Sequence, residues 1–116
     1  MDQVLAHYHG TTGAAVVQEA EQALPCRDEV YKGSPLMRFT GQVQLPQAPG
    51  VERQIAYCED DLQLRIRDCY LFAGRGEFAM QVDFNVVASS FDDAADLLSQ
   101  RLPTLVPALE TVLTRA

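Results

Sequence analysis

The chain contains no tryptophan, one lysine and no apolar run near the roughly 20 residues that a membrane-crossing helix needs. The last absence excludes a helical membrane span. Basic residues are scarce: nine stand against sixteen acids, a net charge of −7 that repels phosphate backbones and argues against nucleic acid as a partner. The three cysteines, Cys26, Cys58 and Cys69, are odd in number and lack CxxC spacing. That pattern argues against a disulfide framework or a structural zinc site, so reduced thiols are expected.

Catalytic signatures are missing too. There is no GxSxG elbow and no HExxH pair, and the GRG at 74–76 precedes no helix start that would make it a phosphate loop. His7-Tyr8-His9 would send two imidazoles to one side of a strand, but two ligands do not make a site. The acidic clusters CEDDL and FDDAAD lack EF-hand spacing, and the second is explained by helix capping. No cofactor, no metal and no enzymatic activity are expected. The opening MDQVLAHYHG has neither the basic nor the apolar part of a signal peptide, so a cytoplasmic location is expected; a mature secreted domain preceded by Met would read alike.

What is present is a globular pattern. An apolar fraction of 47% over 116 residues suffices to bury one core, and a single domain over 1–116 is expected. TTGAAVVQEAEQALPC offers a capping threonine, then Val16, Val17, Ala20 and Leu24 at helical spacing. Pro25 should border that helix, leaving CRDEVYKGSP as a connector. From residue 36 the period becomes two. Met37, Phe39, Gly41, Val43 and Leu45 share one face; Val51, Ile55 and Tyr57 follow with Arg53; then Leu62, Leu64, Ile66, Tyr70 and Phe72 with Asp68; then Phe78, Met80, Val82, Phe84, Val86 and Ala88. The tail from Ser90 reads as a capped helix broken near Pro103. The expected fold is α+β: a two-layer sandwich with an N-terminal helix, a four-stranded antiparallel meander and a kinked C-terminal helix on one sheet face.

Turn lengths suggest a register. A two-residue Asp60-Asp61 turn pairs Tyr57 with Leu64 and sets Asp68 opposite Arg53, while a three-residue Gly74-Arg75-Gly76 loop pairs Phe72 with Phe78. In that register a Cys58–Cys69 bridge is sterically implausible. Two candidate surfaces result. One is a pocket for a small apolar ligand, built from the Asp68–Arg53 pair ringed by Tyr57, Tyr70, Met37 and Phe39. The other is an open polar face bearing Arg38, Gln42, Glu52, Gln54, Arg65, Arg67, Gln81, Asp83 and Asn85, suited to another protein or a second copy of the chain. A noncatalytic protein-binding module, such as a chaperone, adaptor or neutralising partner, is the leading expectation, and a small-molecule binder is the alternative.

Overall fold

A computed structural model describes residues 2–44, 50–87, Gln100 and Thr111. Its elements are β1 (Asp2–His7), α1 (Gly13–Gln22), α2 (Leu24–Tyr31), β2 (Met37–Gln42), β3 (Arg53–Asp61), β4 (Ile66–Arg75) and β5 (Phe78–Val87). The fold is α+β with one antiparallel sheet of order β1-β5-β4-β3-β2. Five strands replace the four expected, because the N-terminal segment pairs along β5, from Asp2 opposite Asp83 to His7 opposite Phe78. The expected C-terminal helix lies outside the described residues, although Gln100 and Thr111 are each helical and exposed. No described helix is long and apolar enough to cross a membrane.

Thr12 starts α1 as the sequence implies: its hydroxyl accepts from the Ala15 backbone N–H at 3.1 Å, satisfying a donor that has no partner within the helix. Thr12→Ala should lower stability by about 1 kcal/mol in urea unfolding, and an unchanged midpoint would show the cap to be idle. Pro25 does not end the helical region. It occupies the first turn of α2, where no intrahelical N–H is required, so the segment read as a connector is a second helix meeting the first at Ala23. Weak apolar periodicity hid it, since Leu24 is its single buried residue.

Two turns decide which residues share a face. Between β3 and β4 the chain makes a four-residue loop, Leu62 to Arg65, in which the Asp61 carboxylate accepts from the backbone N–H groups of Gln63 and Leu64 at 3.0 and 2.9 Å. Tyr57 is therefore opposite Tyr70, Cys58 opposite Cys69 and Glu59 opposite Asp68, while Arg53 faces Gly74. The expected Asp68–Arg53 pair does not form. Leu62 and Leu64 continue the strand's alternation in sequence, yet lie in the loop.

Between β4 and β5 the turn is Gly76-Glu77, with Arg75 opposite Phe78 and Phe72 opposite Gln81. Relative to the three-residue loop this is an odd shift, which exchanges the faces of a strand. Tyr70 and Phe72 consequently look one way, and Met80, Val82 and Phe84 look the other. A bulge between Phe39 and Gly41 does the same to β2, leaving Phe39 with Tyr57 and sending Val43 to the opposite cluster.

Helices α1 and α2 lie on the first face, where Val17 and Leu24 pack with Ile55 and Tyr57, and Ala20, Phe39, Tyr70 and Phe72 complete the cluster. The second face carries Ala56, Cys58, Cys69, Leu71, Ala73, Met80, Val82 and Phe84, all buried. Residues 55–60 of β3 are thus buried on both sides, and the open polar sheet face expected from the sequence is not formed. Gly13 and Gly74 let the start of α1 rest on β4: a Cβ at Gly74 would collide with the Gly13 backbone, and one at Gly13 with the Phe78 carbonyl. Cys58 and Cys69 form a disulfide, with Cα atoms 4.1 Å apart, and Cys26 is an exposed free thiol. The expectation of three thiols, drawn from the odd count and the missing CxxC spacing, fails because the four-residue β3–β4 loop, longer than the expected two-residue turn, sets Cys58 opposite Cys69.

Candidate functional site

At the end of the sheet nearest α2, Glu59 and Asp60 of β3 point to opposite faces, and each is met by arginine. Asp60, with no exposed surface, receives Arg67 in a two-point contact, Nε to Oδ1 at 2.7 Å and Nη2 to Oδ2 at 3.1 Å, and Arg38 Nη2 at 2.7 Å. Burial by itself pushes the Asp60 carboxyl up. The hydrogen bonds and charges of Arg67 and Arg38 more than reverse that and hold it below its ordinary value. The geometry explains Asp60 as a structural group, a carboxylate locked between two guanidiniums.

Glu59, on the helix side, is 2% exposed. Arg27 of α2 donates from Nε to its Oε1 at 2.6 Å, and the Tyr31 hydroxyl donates to Oε2 at 3.4 Å. The Arg27 guanidinium also stands over the ring of Tyr57, 5.3 Å from its centroid, and 6.0 Å from that of Tyr70. Tyr57 stacks on Tyr70 at 5.0 Å and lies 6.0 Å from Phe39. An arginine on this face thus finds two aromatic rings and a carboxylate. Burial, assisted by Glu59 and Asp68, pushes the Tyr70 phenol up to about 12. Burial raises Tyr57 as well, against the lowering charge of Arg27. Both phenols remain neutral at physiological pH.

Asp68 lies on the same face, directly across from Glu59 and two residues from Tyr70. Like charges placed opposite each other on a sheet repel, and the Arg27 ion pair is made to Glu59. The Asp68 carboxyl is pushed above its ordinary value by burial first, then by the charges of Asp61, Glu59, Asp83 and Asp60. Asp83, opposite Tyr70 on β5, accepts from Gln81 Nε2 at 3.0 Å, and Asn85, opposite Asp68, is exposed. Asp68, Tyr70, Asp83 and Asn85 form a half-open acidic shelf beside α2.

Of the pocket residues inferred from sequence, the structure brings Phe39, Tyr57 and Tyr70 together, with Asp68 at their border. Met37 is at the β2 edge opposite Asp61. Arg53 is absent from the group; it binds Glu21 of α1, Nη2 to Oε1 at 2.6 Å, at the far end of β3. Among the described residues the rings pack on one another, on Val17 and beneath Arg27, and the C-terminal segment expected to close a pocket over them lies outside those residues. A separate cleft of about 280 Å³ lies between Glu21, Gln42, Val43, Gln44, Gln54, Ile55 and Ala56, well away from Asp68.

The interaction residues inferred from sequence are dispersed. Arg38 and Arg67 serve Asp60, Gln54 lines the cleft, and Glu52 accepts from the Gly76 N–H at 2.7 Å. Arg65 sits in the loop with φ 56°, and only Asp83 and Asn85 remain neighbours of Asp68. Glu59, Asp60, Arg27 and Tyr31 were not anticipated as site residues. No protein-family model, curated protein or solved structure matches this chain.

Proposed function

We propose that this protein is a noncatalytic binding module that takes a cationic segment of another protein on the acidic, tyrosine-lined shelf beside α2. The observation that carries the reading is Asp68: half-buried, beside an aromatic ring, in the field of four other acids, and without a cation among the described residues. An incoming arginine or lysine would neutralise a carboxylate that the fold holds at an electrostatic disadvantage. The contact of Arg27 with Glu59 and the tyrosine rings is an internal example of the same chemistry. Net charge of −7 draws cationic partners toward the chain. The Cys58–Cys69 bridge favours an oxidising compartment over the cytoplasm expected from sequence.

The test is titration with a tetra-arginine peptide at low salt, followed by backbone amide shifts. Saturable shifts centred on Asp68, Tyr70, Asp83 and Asn85 are expected, and Asp68→Asn should weaken binding about tenfold while leaving the fold as stable or more stable. The sign follows from the direction of the shift. A carboxyl raised in the folded state costs stability when ionised, the cost being full above the folded value and gone below the unfolded one. Shifts scattered over all acidic residues, or none at all, would reject the shelf as a binding surface. Self-association that competes with the peptide would redirect the proposal to a second copy of the chain.

A further inference from the structure

We propose that His7, His9 and Glu77 form a binding site for a divalent transition-metal ion of the zinc, nickel and copper group. One ligand atom from each of the three residues lies within 4.8 Å of the others, and all three side chains are exposed at one end of the sheet. In zinc sites the metal–nitrogen distance is about 2.0–2.1 Å, which puts neighbouring donors of a tetrahedron about 3.3 Å apart. Small side-chain rotations therefore close the set. His7 Nε2 is already 3.9 Å from Glu77 Oε1.

The backbone holds the three residues in place before any ion arrives. His7 ends β1 opposite Phe78 and stacks on that ring at 4.6 Å, which fixes its imidazole plane. The Tyr8 N–H donates to the Glu77 carbonyl at 2.8 Å, tying the segment that carries His9 to the β4–β5 turn that carries Glu77. The turn is itself anchored: the Gly13 N–H donates to the Gly76 carbonyl at 2.8 Å, and the Gly76 N–H donates to Glu52 at 2.7 Å. The imidazoles of His7 and His9 meet edge to face with centroids 4.5 Å apart. A chain crossing from strand into loop thus sets two alternate histidines against a carboxylate from a different turn.

The donor set selects the ion. Two imidazoles and one carboxylate suit zinc, nickel or copper, whereas calcium and magnesium prefer all-oxygen shells. Three protein ligands leave coordination positions for water or for a side chain of a binding partner. Imidazole ligates only in its neutral form, so acidification releases the ion.

The experiment is calorimetric titration of the full-length, tag-free chain with zinc chloride at neutral pH. Parallel titrations use His7→Gln, His9→Ala and Glu77→Gln, with Cys26→Ser as a control for the exposed thiol. One ion per chain is expected in the wild type and in Cys26→Ser, with affinity about tenfold or more lower in each histidine variant. His9→Ala removes a ligand outside the strand, so its loss of binding with an unchanged circular dichroism spectrum separates ligation from folding. No saturable uptake, uptake unchanged in both histidine variants, or uptake abolished by Cys26→Ser would overturn the site.

Discussion

Asp60→Asn lowers the unfolding free energy by about 3 kcal/mol at neutral pH, near the lower end of the range for removing one partner of a buried ion pair. The carboxylate is fully buried and receives three hydrogen bonds from two guanidiniums. Asparagine keeps the size and removes the charge, leaving Arg67, 14% exposed, in a site arranged for an anion. Arg38 is 55% exposed and turns to water, which limits the loss. The pH dependence carries a definite sign. Because the folded carboxyl titrates below its ordinary value, the stabilisation is complete above the unfolded value and disappears as pH falls through the folded one. Urea unfolding of wild type and variant should therefore converge in acid and diverge at neutral pH. A constant gap across that range would mean that packing, not charge, sets the effect.

The second large effect belongs to the disulfide. A bridge between residues 11 apart removes enough freedom from the unfolded chain to stabilise the fold by about 3 kcal/mol in the chain-entropy description. Both cysteines are 2% exposed and sit in the cluster with Leu71 and Val82. Reductant reaches them only when the hairpin opens, so reduction should follow unfolding. The double variant Cys58→Ala/Cys69→Ala should lose stability of that order without leaving an unpaired thiol. Thiol titration of denatured, unreduced protein should find one reactive group, Cys26. Three reactive groups would contradict the bridge.

Both effects sit on one hairpin, and that hairpin shows what was legible in the sequence. The alternation of β5 and the Thr12 cap are visible because each depends on residues close in the chain. The β3–β4 register depends on where the chain reverses, and Leu62 and Leu64 imitate a longer strand. Better signals were present in the same stretch. Tyr57 and Tyr70, and Cys58 and Cys69, are symmetric about the boundary between Gln63 and Leu64, and a hairpin folded there pairs tyrosine with tyrosine and cysteine with cysteine.

The β4–β5 turn illustrates how a single residue propagates. Reading Gly74-Arg75-Gly76 as the loop puts Met80 and Val82 on the face of Tyr70, while the observed Gly76-Glu77 turn puts them opposite. The open polar face was a product of that error. Arg27 and Tyr31 were hidden for a different reason: α2 is a polar helix held by contacts to Glu59, which lies 32 and 28 residues away. No local pattern encodes such contacts. Tyr57, Tyr70 and Asp68 share one phase of the β3–β4 pair, which local alternation makes visible, whereas Phe39 joins them from β2, Met37 stays at the β2 edge, and Arg53 faces Gly74 and binds Glu21.

Asp68 is a half-buried acid with no cation in salt-bridge contact among the described residues, and the proposed function turns on it. The most direct measurement is the titration of the Asp68 carboxyl by carbon-detected NMR, in the free protein and with the tetra-arginine peptide added. The free carboxyl should titrate above the ordinary aspartate value of about 3.9 and move down when the peptide binds. A midpoint at or below the ordinary value in the free protein, unmoved by peptide, would mean that the chain already supplies a cation to Asp68, and the shelf would not be a recognition surface.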